Sequence, residues 1–245
     1  MHAHMPAPVA ELTVGRDAYA AVFEVPSRQG GLAVDASVLD RSEHERMAAF
    51  VHAHDRLRYG YAHMLLRVLI GDHLQQDPAS LRFSRDKCPC CGALHGRPVL
   101  NLNGPRPLEF SLSHGGDHVM IGIAAMAIGV DVAPLPQSRT VQQVARSLHL
   151  REQQAIAETR VRQRAGVFNR LWVRKEAYLK GLGTGLARDL NADDLTHDPS
   201  GWLISDRAVD SRHHAAVALK RADARQQLTA GGAGSAKVNI RWVQI

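Results

Sequence analysis

Apolar residues change their spacing several times along the chain, and each change marks an element. Residues 18–25 alternate loosely, as a strand does. Near Asp40 the spacing turns helical, and Ser42-x-x-Glu45 reads as a capping box that opens a short helix. Beyond His54, the residues Leu57, Tyr61, Leu65, Val68 and Leu69 recur at helical intervals, one apolar stripe ending near Gly71, with Arg58 beside it. Residues 108–113, 118–124 and 128–132 are strand-like, with a turn at Gly115-Gly116-Asp117, and are expected to pair as one antiparallel sheet.

Thr140-x-x-Gln143 resembles a second capping box, with Val141, Val144, Ala145 and Leu148 on one face behind it. A polar helical run covers 151–164. Another covers 167–182, burying Phe168, Leu171, Tyr178 and Leu182 and stopping at Gly181 and Gly183. Strand-like runs at 214–219 and 238–243 flank a flexible Ala230-Gly-Gly-Ala-Gly-Ser linker. The order predicts an α+β protein of two similar halves, 1–126 and 127–245, although no sequence repeat accompanies that symmetry.

Composition narrows the function. A chain of 245 residues with 45% apolar side chains can bury a substantial core. No window approaches the ~18 consecutive apolar residues of a membrane span, and residues 1–9 lack a charged segment followed by an apolar one, so a cytoplasmic protein away from membranes is expected. The net charge of +6 suits a polyanionic ligand or an acidic protein partner. The basic residues are dispersed and aromatics make up only 5% of the chain, which argues against nucleic acid. All three cysteines fall in Cys88-Pro-Cys90-Cys91, too close and odd in number for a disulfide framework. Cys88, Cys91 and His95 have zinc-ligand spacing without an obvious fourth ligand; a turn made by Pro89 and Gly92 is the alternative.

Three segments carry chemistry. Phe110-Ser-Leu-Ser113-His114-Gly-Gly116 ends a strand in a hydroxyl, an imidazole and a glycine turn, a set able to hold phosphate oxygens or merely to satisfy its own hairpin. Asp131 interrupts an apolar strand, where a carboxylate needs a cation or several donors. Trp172, Glu176 and Lys180 share a helical face before the exit Gly181-x-Gly183-x-Gly185. An ordinary Glu-to-Lys surface pair accounts for the spacing but not for that exit.

Taken in order, Gly96-Arg97-Pro98, Ser113-His114, Gly129-Val-Asp131 and Trp172-x-x-Lys175-Glu176-x-x-x-Lys180-x-x-Gly183-x-Gly185-Leu186 resemble the motif series of the surfactin-type 4'-phosphopantetheinyl transferases, over residues 40–190. The resemblance implies a pseudo-twofold α+β monomer that binds coenzyme A between its halves. It would move phosphopantetheine to a serine of an apo acyl or peptidyl carrier protein and release 3',5'-ADP. His114, Ser113 and Arg97 would then meet cofactor phosphates. Arg58 and Arg46 would grip the adenosine 3'-phosphate, with Arg41 a competitor. Asp131 and Glu176 would hold Mg²⁺, Glu176 would act as general base, and Lys180 would meet the attacked phosphate or the departing oxygen.

One departure stands out. Many members carry an acid two residues beyond the metal-binding aspartate, on the same strand face, and here that residue is Ala133. Two other readings remain open from sequence: a non-catalytic coenzyme A-binding or carrier-docking relative, and a zinc-loop interaction module.

Overall fold

Strand parity organises the molecule. The computed structural model describes residues 7–8, 10–14, 18–25, 35–101, 108–221 and 241–244, with 10–14 and 241–244 described as backbone only. Strands β1 (Ala10–Val14), β2 (Ala18–Glu24), β5 (Glu109–Gly115), β6 (His118–Ala124) and β10 (Arg241–Gln244) form an antiparallel sheet in the order β10-β1-β2-β6-β5. Strands β7 (Ile128–Pro134), β8 (Trp202–Ala208) and β9 (His213–Lys220) form a second, in the order β7-β9-β8. Strands β3 (Phe83–Arg85) and β4 (Pro98–Leu100) make a separate hairpin.

Alternate residues of each central strand then serve different layers. Phe23, Val119 and Ile121 pack with Tyr61, Leu65 and Ile70 of helix α2 (Ala53–Leu74). Their neighbours Ala20, Val22 and Met120 pack with Val130, Val132, Ala215 and Val217 of the second sheet. That sheet's other face, through Ala216 and Ala218, meets Val173, Ala177 and Leu179 of helix α5 (Arg164–Leu182). The layers therefore run helix, sheet, sheet, helix. Each buried aliphatic side chain contributes roughly 1.5–3 kcal/mol, so this alternation is strongly selected over a one-residue slip.

Several expectations change. The three strand-like runs do not form one sheet: β5 and β6 pair, whereas β7 pairs with β9. The amides on the free edge of β7 are satisfied by side chains instead, since Val130 N donates to Ser111 Oγ at 3.0 Å and Val132 N donates to Ser113 Oγ at 3.4 Å. Helix α1 (Arg41–Ala48) is capped two residues earlier than expected, by Asp40 with Glu43. Glu45 pairs with Arg41 instead. The second proposed box fails too: helix α3 (Ser138–Val144) starts after Gln137 without a side-chain cap. The polar run divides into helix α4 (Leu150–Glu158) and the start of α5. Strands β1, β3, β4 and β8 were not anticipated, and the 230–235 linker lies outside the described residues.

Candidate active site

Gly129 brings the central helix onto its strand. A Cβ there would collide with the Ala177 carbonyl and the Gly181 amide of α5, so any other residue would push the helix away. With the two backbones this close, β7 and α5 present Asp131, Glu176 and Lys180 to one another.

Asp131 is 6% exposed. Its Oδ1 accepts from Ser113 Oγ at 2.7 Å and from Lys180 Nζ at 2.7 Å. Lys180 Nζ also donates to Ser113 Oγ at 2.9 Å. Ser113 thus has its proton and both lone pairs engaged inside the protein, although the sequence placed it beside a cofactor phosphate. The Glu176–Lys180 pair suggested by helical spacing is replaced by this reach across to β7.

Glu176 makes no hydrogen bond or ion pair among the described residues. Burial, and then the Asp131 charge, raise its pKa above the ordinary glutamate value, with Lys180 opposing them. A buried aspartate beside a partnerless, charge-frustrated glutamate is an oxygen donor set that a hard divalent cation would stabilise.

His114 ends β5 and is exposed. Protein around its ring, then the Arg58 guanidinium and the Lys180 ammonium, disfavour the imidazolium and lower its pKa. Arg58 donates to the Gly116 carbonyl at 3.1 Å and to Asp55 at 2.8 Å, fixing it beside the same turn. Arg97 is held by Glu109 at 3.1 Å and faces Asp86 at 3.6 Å. Arg46 is exposed at the end of α1 with its guanidinium 5.9 Å from the Phe50 ring, which packs 5.4 Å from the ring of Tyr59.

A cavity of about 520 Å³ opens between these elements, within the range of small-ligand sites. Tyr59 and His63 of α2, Leu112 of β5, Arg97, and Lys180 and Gly183 at the end of α5 line it. Asp131, Glu176, His114, Arg58 and Arg46 are not among its lining residues, so Lys180 is the link between the cavity and the carboxylates.

Two family profiles match in succession: "4'-phosphopantetheinyl transferase, N-terminal" over residues 26–126, and "4'-phosphopantetheinyl transferase superfamily" over residues 127–228. The chain belongs to the 4'-phosphopantetheinyl transferase superfamily. It is 28% identical over 178 residues to a "Phosphopantetheinyl transferase" of a Thraustochytrium species, covering 67% of this chain and 59% of that one. It is 26% identical over 196 residues to "4'-phosphopantetheinyl transferase HetI" of a Nostoc species, covering 75% and 79%. To the human "L-aminoadipate-semialdehyde dehydrogenase-phosphopantetheinyl transferase" it is 22% identical over 231 residues, covering 81% and 72%.

Within this superfamily member, several supporting residues escaped the sequence reading. Ser111 faces β7 alongside Ser113, which the sequence had named for a cofactor phosphate, and their alternation with Phe110 and Leu112 was the available signal of a polar strand face turned inward. Glu109 and Asp86 orient Arg97. Lys175, inside the helical motif, is 1% exposed, and its ammonium binds Glu152 at 2.7 Å and the carbonyls of Leu190 and Asp193 at 2.6 and 2.7 Å. It ties α4 and the 190–195 segment to α5 and does not face the carboxylates.

Proposed function

We propose that this protein transfers the 4'-phosphopantetheine of coenzyme A to a serine of an apo acyl or peptidyl carrier protein, as a surfactin-type member of its superfamily. The observation that carries the reading is Lys180, which lines a ligand-sized cavity and is bonded to the buried Asp131 that Glu176 feels electrostatically, on a chain whose two successive segments match this superfamily. The N-terminal half would supply the cofactor-binding residues and the C-terminal half the metal-binding and catalytic ones.

Asp131 and Glu176 would hold Mg²⁺, and the bound ion would neutralise charge on the coenzyme A pyrophosphate. The chain's own groups account for the rest. The carrier serine oxygen attacks the β-phosphorus, and the bond from that phosphorus to the 3',5'-ADP oxygen breaks. Glu176 takes the serine proton as general base. Lys180 has one ammonium N–H beyond its bonds to Ser113 and Asp131, directed to developing charge on the phosphate or the leaving oxygen. His114 donates to a cofactor phosphate, with Arg58 adding charge at the same turn and Arg97 along the cleft. Ser113 acts as a positioning residue that fixes Asp131 and Lys180. The basic balance of the surface suits an acidic carrier.

A non-catalytic coenzyme A-binding protein would have no use for a partnerless glutamate held against a buried aspartate. Incubation with coenzyme A, Mg²⁺ and a panel of apo-carriers, followed by intact mass measurement, tests the reading. A carrier gaining the phosphopantetheine mass supports it. Coenzyme A binding with no carrier modified across fatty-acid, polyketide, peptide-synthetase and lysine-pathway types would favour the non-catalytic alternative.

A further inference from the structure

The hairpin β3–β4 belongs to neither large sheet, and its connecting loop contains every cysteine in the chain. A two-stranded hairpin of three residues per strand is marginal by itself in water. The loop is nevertheless tightly folded. Cys88 N donates to the Ala93 carbonyl at 2.7 Å, and Gly92 N donates to the Cys88 carbonyl at 2.8 Å. His95 N donates to the Ala93 carbonyl at 2.8 Å, and Gly96 N donates to Asp86 O at 2.9 Å. Gly92 has φ 75°, the left-handed conformation that lets the chain turn back directly after Cys91.

This fold gathers the side chains. Cys91 Sγ lies 2.9 Å from His95 Nε2, and the ligand atoms of Cys88, Cys91 and His95 all lie within 4.8 Å of one another. All three cysteines are free, so no disulfide accounts for the arrangement.

We infer that Cys88, Cys91 and His95 bind one zinc ion, which clasps the β3–β4 hairpin and thereby sets the wall of the coenzyme A cleft. Two thiolates and an imidazole within 4.8 Å match zinc's preference for sulfur and nitrogen over the harder Mg²⁺ proposed at the carboxylates. Cys91 and His95 are exposed, which leaves water as the fourth ligand. Binding displaces the thiol protons of Cys88 and Cys91 to solvent. The consequence for the cleft follows from the chain path. His95, Gly96 and Arg97 line the main cavity, while Lys87, Pro89 and Arg97 line a smaller one beside Gly181 and Gly183. This link to coenzyme A rests on the proposed function, whereas metal content does not, so the two fail separately.

The test is native mass spectrometry of the full chain after incubation with one equivalent of zinc chloride and removal of the excess. One zinc per chain is expected, lost in Cys88→Ser/Cys91→Ser and weakened in His95→Ala, with folding checked by circular dichroism. A second measurement needs no variant: zinc should protect Cys88 and Cys91, but not Cys90, from alkylation. Zinc-loaded protein should also bind coenzyme A more tightly than zinc-stripped protein in calorimetry. Failure to retain zinc overturns the inference, as does unchanged alkylation. Zinc retained in the folded double variant would place it at His118, Asp210 and His213, the other described group able to hold a metal, and would equally overturn it. Equal coenzyme A affinity with zinc bound at the cysteines would overturn only the claim about the cleft.

Discussion

The ammonium of Lys180 lies 2.7 Å from Asp131 Oδ1, closing an ion pair between the last turn of α5 and the middle of β7. The ammonium is a cation already present where Mg²⁺ is proposed. Lys180→Met keeps the side-chain length and removes the charge. Turnover should fall about 10²–10³, the usual cost of losing one group that stabilises developing charge. The Mg²⁺ concentration for half-maximal rate should fall as well, because Asp131 no longer shares its charge with an ammonium. Initial rates across a Mg²⁺ series measure both, and a raised metal requirement would contradict this arrangement.

Glu176→Gln should lower turnover by about 10²–10⁴ while the fold persists, since Val173, Ala177 and Leu179 anchor α5 by burial. Its effect on stability has a defined sign. Burial and Asp131 raise the folded-state pKa above 4.5, so the native protein holds the proton more tightly than the unfolded chain. The resulting cost is absent below the ordinary glutamate pKa and complete above the raised one. Metal-free Glu176→Gln should therefore melt higher than the parent at neutral pH, with the gain vanishing as the pH falls through the raised value toward 4.5. Thermal melts in chelator read this directly, and a lower neutral-pH melting temperature would be inconsistent with it.

His114→Ala should weaken coenzyme A more than carrier protein. Its imidazole is held neutral below the ordinary 6.5 by desolvation, Arg58 and Lys180, and a bound phosphate would favour the protonated ring instead. Coenzyme A binding should thus draw a proton onto His114 at pH values between the lowered pKa of the free protein and the higher pKa of the complex. Calorimetry in buffers of different ionisation enthalpy measures the uptake. Identical proton uptake by parent and variant would assign it to the ligand and return His114 to a hairpin role.

Ala133 follows Asp131 by two residues on β7 and packs with the cluster that includes Val173 and Ala177 of α5. Asp131 and Ala133 thus share the helix-facing side of the strand. Ala133→Glu should lower the Mg²⁺ needed for half-maximal rate with little change in maximal rate, because the added carboxylate replaces a water ligand. An unchanged metal requirement in folded protein would place residue 133 out of reach.

Local pattern made the long helices and the polar motifs readable, because Leu57, Tyr61 and Leu65 on α2 and Phe168 and Leu171 on α5 keep their period whatever they pack against. Partner choice was not readable. Residues 128–132 look like a third strand of the β5–β6 hairpin, but β7 pairs with β9 in the other sheet, and its free-edge amides donate to Ser111 and Ser113 instead. Helix α1 was misplaced by two residues because Asp40 and Ser42 are both good caps, and the burial of Glu43 against Arg67 decides between them. At the site, the motif residues were legible as chemistry. Their hydrogen bonds were not, and these bonds turn Ser113 inward onto Asp131.

The most direct test follows one reaction mixture of the protein, coenzyme A, Mg²⁺ and an apo-carrier by mass and by nucleotide analysis together. The account predicts one 3',5'-ADP released per carrier serine modified, with both products absent in excess chelator and strongly slowed in Glu176→Gln. Labelling that persists in chelator, or that proceeds at more than about a tenth of the normal rate in Glu176→Gln, would contradict the role given to the Asp131–Glu176 pair.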